Sequence, residues 1–188
     1  MVITATPPRR TDRRIVAVGS IMALWCVGFA VVNVWFEATG HFSDGKYADY
    51  AQGLLVMNVL VVVLKLLGAA VELLAVADRP RLIRPAWTST LAFGAFAMLG
   101  VYAAAGVVEG TVLVVTGSDE VTAASVAYVL FFVLGATGFG LVAVSHWRRY
   151  RPGRAPVVVG AVGAPVMLVL ILSAAPWVLG ALGVMPSS

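Results

Sequence analysis

The stretch Gln52–Ala77, QGLLVMNVLVVVLKLLGAAVELLAVA, decides the fold. It contains fifteen leucine and valine residues and is longer than the roughly 20 residues that a helix needs to cross a bilayer. Polar side chains recur in it at intervals of seven, at Asn58, Lys65 and Glu72, and the series continues to Arg79. Because a step of seven drifts by only about 20° on an α-helix, these residues share one narrow face.

The apolar residues of this stretch are sufficient to insert it into a membrane despite its charges. Leucine and valine each contribute about −0.3 to −0.6 kcal/mol near the centre of a span, whereas a central lysine costs about 2.5 to 3.5 kcal/mol. The margin is small, so we expect the polar face to contact other helices rather than lipid. Lys65, Glu72 and Asn58 are therefore the candidates for an intramembrane polar site. Lys65 either fixes helix packing or serves a function, since ionisable residues inside membranes are functional candidates.

The composition of the whole chain is that of a membrane protein. Its 188 residues are 61% hydrophobic and 12% charged, with a mean hydropathy of +0.96, whereas soluble domains carry about 25% charged residues. The net charge of +4 resides at the ends of apolar segments and forms no basic face, which argues against a nucleic-acid partner. The single cysteine, Cys26, excludes a disulfide within the chain. The excess of arginine over lysine is typical of a GC-rich bacterial genome, so we expect a multi-pass protein of the bacterial inner (plasma) membrane.

The hydropathy pattern predicts an all-α fold, an integral membrane bundle of five transmembrane helices in one domain, residues 15–182. A basic cytoplasmic arm, 1–14, precedes it and a short external tail, 183–188, follows it. The first span exceeds the 7–15 apolar residues of a signal peptide and is followed by no A-x-A-like cleavage site, so we expect it to be retained. Residues 108–116 either extend the third span or lie at the surface as an amphipathic piece. The predicted spans are 15–36, 52–77, 87–107, 121–147 and 155–182.

The charges of the loops predict the orientation. The arm and the loops after the second and fourth spans carry net charges of +3, +2 and +4, whereas the loops after the first and third spans carry −2 and −3. Positive loops stay in the cytoplasm, so the N-terminus is expected inside and the C-terminus outside. The most basic loop holds four arginines that we expect to contact anionic lipid headgroups. They are Arg148, Arg149, Arg151 and Arg154. The ordinary preference of positive loops for the cytoplasm is the alternative explanation for these arginines.

Small residues at a spacing of four predict places where helices pack closely. The glycine-rich segment 135–140 lies in the middle of a span and follows no strand, so it indicates helix packing rather than a phosphate-binding loop. The pairs at this spacing are Gly19/Ala23, Ala136/Gly140 and Gly160/Ala164.

The sequence contains no nucleotide-binding, metalloprotease or serine-hydrolase motif. His41 and His146 are separated by about a membrane thickness, so they cannot bind one metal or haem together. We therefore predict no catalytic residue, no cofactor and no metal. The alternative for a metal is the loop group His41, Asp44 and Asp49.

Three passages taken together resemble a known group of proteins. They are LKLLGA at 64–69, Trp87, and HWRRY at 146–150. They are similar to small actinobacterial multi-pass membrane proteins that are catalogued as a domain of unknown function, and the resemblance covers about residues 50–152. It implies a multi-pass membrane fold and no particular activity, cofactor or catalytic residue.

These features predict a non-enzymatic accessory, scaffold or sensor protein of the membrane. The alternative is a transporter of small solutes or protons, with Lys65 and Glu72 lining its path. The expected partners are the lipid bilayer, anionic lipid at the cytoplasmic face, and a second copy or another membrane protein. An intramembrane enzyme would need a second polar cluster facing Lys65. Only scattered candidates exist for that cluster, namely Asn33, Tyr102, Tyr128 and Thr137.

Overall fold

Five α-helices make up the described part of the chain. The computed structural model describes residues 10–41, 51–77, 83–116 and 122–181. The predicted all-α class and the five helices are confirmed. The helices are α1 (Arg13–Ala38), α2 (Ala51–Val76), α3 (Pro85–Val115), α4 (Ala123–Tyr150) and α5 (Ala155–Ala181).

Four of these helices, α1 to α4, are long and apolar enough to cross a membrane. Within the described residues, the apolar segment of α5 is shorter than these four helices and runs from Ala155 to Ile171. The third helix continues through Glu109 and Gly110 without a break, so residues 108–115 belong to the same helix as the predicted third span. At 1.5 Å per residue α3 is about 46 Å long, against a hydrocarbon core of about 30 Å. This helix therefore tilts or projects from the bilayer.

Local sequence explains where the helices begin. The side chain of Asp12 caps α1 by accepting a hydrogen bond from the Arg14 backbone N–H at 2.9 Å. Thr122 and Ser125 form a reciprocal capping box at the start of α4. Pro85 occupies the first turn of α3, where its missing N–H removes no helical hydrogen bond.

The fourth helix lies at the centre of the bundle. It packs against α1, α2 and α3, while α1 and α2 form a pair and α5 contacts α3 alone among the described helices. The buried residues form four small clusters rather than one large core, and α4 contributes to every one of them. Its contributions include Phe139, Ala143, Val142 and Phe132.

Contacts between helix ends show which ends lie on the same side. The Thr11 hydroxyl donates to the carbonyl oxygen of Val76 at 3.0 Å. The His146 ring lies against the carbonyl oxygens of Ala75 and Pro85. The starts of α1 and α3 therefore lie beside the ends of α2 and α4, as an up-and-down succession of spans requires.

Small residues bring helices close together at the predicted pairs. Gly160 of α5 lies directly against the backbone of Thr90 and Gly94 of α3. A Cβ atom at Gly94 would in turn lie 3.1 Å from the Cβ of Ala164. The two other predicted pairs also lie at helix contacts, where Gly19 meets Val76 and Gly140 meets Phe96.

Gly160→Ala is expected to weaken the contact between α3 and α5. The new Cβ would meet backbone atoms of Thr90 and Gly94, which cannot rotate away as a side chain can. We expect a loss of about 1–3 kcal/mol in the free energy of unfolding, measured as a lower unfolding temperature in detergent. Gly163→Ala is the matched control on the same helix, because nothing lies within 4 Å of its Cβ position. Equal unfolding temperatures for the two variants would contradict the close contact.

Candidate functional site at the interface of α1 and α2

Asn58, Lys65 and Glu72 follow one another along the face of α2 that packs against α1. Asn58 is 7% exposed, Glu72 is 0% exposed and Lys65 is half-buried. Gly68, on the same face, meets Cys26 of α1. The polar face of α2 is therefore covered by protein, although its three polar residues have very different surroundings. Arg79 lies outside the described residues.

The side-chain nitrogen of Asn58 is hydrogen-bonded to α1, whereas its buried Oδ1 has no partner among the described residues. Its side-chain nitrogen donates to the carbonyl oxygen of Asn33 at 2.9 Å and to Oε2 of Glu37 at 3.3 Å. The side chain of Asn33 donates in turn to the carbonyl oxygen of Phe29 at 2.7 Å. Buried polar groups are stabilising when they are hydrogen-bonded in this way. Asn58 thus holds α2 to α1 at the end of the bundle opposite the arginines.

The Lys65 ammonium lies among aromatic rings. Its Nζ is 4.0 Å from the ring centroid of Trp25, 4.6 Å from that of Phe29 and 5.2 Å from that of Phe132. We call these three rings the aromatic cage. A ring face attracts a cation within about 6 Å, by about 2 kcal/mol where water is excluded. Trp25 and Phe29 belong to α1 and Phe132 to α4, so the cation joins three helices. Among the described carboxylates, none forms an ion pair with Lys65.

Contacts between rings order the aromatic cage and extend it. Trp25 and Phe29 meet Phe132 edge-on, with centroids 5.9 and 5.8 Å apart. The rings of Tyr102 and Tyr128 lie 4.5 and 4.9 Å from Phe132, and their hydroxyl oxygens are 2.8 Å apart. The structure therefore brings two of the scattered polar candidates, Tyr102 and Tyr128, together beside the aromatic cage. The other two candidates, whose side chains donate to carbonyls of their own helices, are Asn33 and Thr137.

Glu72 is a buried carboxyl group for which the described residues provide no partner. Both of its oxygens lack a hydrogen bond. Cys26, which is 1% exposed, lies within electrostatic range of both Glu72 and Lys65. The Cys26 Sγ lies against Gly68, which stands between Lys65 and Glu72 in the sequence of α2. A buried acceptor without a partner costs about 1–3 kcal/mol, so Glu72 contributes little to stability through hydrogen bonding.

A second group of polar side chains caps the end of α2. Nη2 of Arg149 donates to the carbonyl oxygens of Ala77 at 2.8 Å and Ala75 at 3.2 Å. Nδ1 of His146 lies 3.0 Å from the Ala75 oxygen, and Nε2 lies 3.4 Å from the oxygen of Pro85. The last carbonyls of a helix have no hydrogen-bond partners within the helix. At the end of α2, the side chains of Arg149 and His146 are the partners. Arg149, which we expected at lipid headgroups, is instead directed into the bundle.

Two cavities of the described surface lie away from Lys65 and Glu72. One cavity, of about 380 Å³, lies in an apolar groove between α3 and α4. The other, of about 340 Å³, lies at the turn between α4 and α5 and is lined by three of the predicted arginines. Neither is lined by Lys65, Glu72 or Asn58.

Metal ligation finds no support in the part of the chain that the structure describes. There, no three His, Cys, Asp or Glu side chains come together as a metal site. The alternative site at His41 depends on Asp44 and Asp49, which lie outside the described residues.

The aromatic cage and the role of His146 were missed from the sequence. A signal for two of the three rings was present, because Trp25 and Phe29 are four residues apart and share one face of α1. Trp25 also lies near the middle of its span, at the level of Lys65. No comparable signal exists for Phe132 or His146, since their partners are distant in the chain.

Comparisons of this chain with models of protein families, with curated proteins and with solved structures yield no match. Its function is therefore inferred from the geometry of the described residues.

The aromatic cage predicts energetic coupling between Lys65 and Trp25. In a double-mutant cycle of Lys65→Met and Trp25→Leu, we expect a coupling of about 1–2 kcal/mol in the free energy of unfolding in detergent. Lys65→Met alone should change stability little, since removing a cation that costs about 2.5–3.5 kcal/mol offsets the lost attraction. Trp35→Leu is the control partner, because Trp35 is 60% exposed near the far end of α1. A coupling for Trp25 as small as that for Trp35 would exclude the cage.

Proposed function

We propose that this chain is a five-span protein of a bacterial inner membrane, with its N-terminus in the cytoplasm and its C-terminus outside. Four long apolar helices support a membrane location. The 27-residue length of α5 supports a fifth span. The alternation of positive and negative loops supports the orientation.

Within that membrane, we propose that the protein acts as an accessory, scaffold or sensor protein without catalytic activity. The observation that carries this proposal is the enclosure of Lys65 by Trp25, Phe29 and Phe132. A lysine on a transport path needs room to exchange partners, whereas here three rings from two helices lie within 5.2 Å of the ammonium. The attraction to the rings offsets part of the cost of placing a cation in the membrane. Lys65 is accounted for as a residue that fastens α1, α2 and α4 together.

Glu72 favours a second candidate function, a transporter of protons or of a small solute coupled to protons. Its carboxyl group is completely buried and has no hydrogen-bond partner in the described structure. Carboxyl groups at such positions bind and release protons in membrane pumps and transporters. In this second function Glu72 would be the proton-binding group, and the caged Lys65 would hold α2 in place.

Glu72→Met distinguishes the two functions. An accessory protein predicts that proteoliposomes containing the wild-type chain, a pH-sensitive dye and an imposed potential show the same proton flux as protein-free vesicles. Glu72→Met should leave that flux unchanged and raise the free energy of unfolding by about 1–3 kcal/mol, since methionine has no unpartnered oxygens. Leu73→Met, at an exposed neighbouring position, is the matched control. Flux above the protein-free level that is lost in Glu72→Met and kept in Leu73→Met would establish the second candidate.

The orientation predicts the behaviour of reporters fused after Ser188. A fluorescent protein that matures only in the cytoplasm should remain dark at this position, and alkaline phosphatase, which folds only outside it, should be active. The opposite pair of results would overturn the five-span orientation. Fusions within the loop after α4 provide the control. There the fluorescent protein should be bright and alkaline phosphatase inactive, because this loop is expected in the cytoplasm.

A further inference from the structure

The turn between α4 and α5 forms a cavity of about 340 Å³. This volume falls in the range of small-molecule sites, roughly 300–1,000 Å³. Its lining comprises three arginines, one tryptophan and one glycine, namely Arg148, Arg151, Arg154, Trp147 and Gly153.

The backbone of the turn brings these residues to one place. Arg151 ends α4 in the left-handed conformation, with φ of 44°, and Gly153 follows with φ of 96°. The Trp147 indole N–H donates to the carbonyl oxygen of Gly153 at 3.0 Å. The chain therefore folds back onto the last turn of α4, and Arg151 and Arg154 come to lie around the same cavity as Arg148.

Among the described residues, the three guanidinium groups have no partner of opposite charge. All three side chains are exposed, and none donates a hydrogen bond or forms an ion pair within the described ranges. No carboxylate lines the cavity. Arg149 differs from them, because its Nη2 is engaged by the carbonyl oxygens at the end of α2. The preference of positive loops for the cytoplasm accounts for the number of arginines here. It does not account for three unpaired guanidinium groups around one cavity.

We propose that this cavity is a binding site for a phosphate group, supplied in the membrane by the headgroup of an anionic phospholipid. Guanidinium groups bind phosphate oxygens through paired, charge-assisted hydrogen bonds. Basic pockets beside membrane helices on the cytoplasmic side hold anionic headgroups in this way. Trp147, whose N–H is already engaged, provides an apolar wall beside the arginines.

The test compares phosphatidylglycerol, phosphatidylcholine and glycerol 1-phosphate as ligands of the detergent-solubilised full chain. The variant Arg148→Lys/Arg151→Lys/Arg154→Lys keeps every charge and removes the paired geometry. The matched control is Arg10→Lys/Arg13→Lys/Arg14→Lys, three arginines on the same side of the bundle. We expect the cavity variant to bind phosphatidylglycerol about tenfold more weakly, as loss of one paired hydrogen bond implies, and the control to bind it normally. Replacing the three cavity arginines by glutamine should weaken binding on the order of 100-fold.

Each outcome decides for or against the phosphate site. Selective binding of phosphatidylglycerol that depends on the cavity arginines supports the lipid headgroup as the source of the phosphate. Equally dependent binding of glycerol 1-phosphate supports the same site with a soluble phosphate as its ligand. Equal binding of phosphatidylcholine would overturn the proposal, and so would equal losses, or none, in the two lysine variants. Unchanged unfolding temperatures in the cavity variants would show that the losses do not arise from misfolding.

Discussion

The absence of water from the hydrocarbon core is the constraint on which the rest of this structure depends. A polar group placed there is costly unless it finds a partner within the protein. The side-chain nitrogen of Asn58 does so through hydrogen bonds to Asn33 and Glu37, and Lys65 does so through the rings of Trp25 and Phe29. Both sets of partners lie on α1. A shift of α2 along α1 by one turn would break both at once, so the polar residues align the two helices.

The fourth helix completes this alignment and makes room for it. Phe132 contributes the third ring of the aromatic cage from α4 and packs edge-on against Trp25 and Phe29. One turn further along, Gly135 admits the Trp25 ring, because a Cβ atom there would lie 3.0 Å from the indole. At its far end, His146 and Arg149 cap α2. The glycines that we interpreted as packing residues are thus needed for the Trp25 indole to lie beside Lys65. The position of a lysine on one helix depends on the absence of a side chain on another.

What the sequence predicted well was local, and what it missed involved partners distant in the chain. Apolar length predicts the helices, and the step of seven predicts that Asn58, Lys65 and Glu72 share a face, because both follow from the geometry of a single helix. The identity of the covering helix does not follow, since Trp25 and Phe132 are 40 and 67 residues from Lys65. A helix turns by about 100° per residue, so Arg148 and Arg149 had to face different directions. Charge counting treated them as equivalent and could not separate the capping arginine from those around the cavity.

Glu72, rather than Lys65, is the residue that packing leaves without an explanation. Lys65 looked exceptional as a lone cation in a span, but its rings provide an attraction comparable to its cost. Glu72 is buried more completely and has no such compensation among the described residues. Buried polar atoms without a hydrogen bond also occur at Asn58, Thr88 and Ser89, but Glu72 contributes the only carboxyl group among such atoms of the described residues. If α1 and α2 served only as a scaffold, a leucine at position 72 would serve better. Position 72 is therefore where a passive scaffold and a protein that senses or moves protons make different predictions.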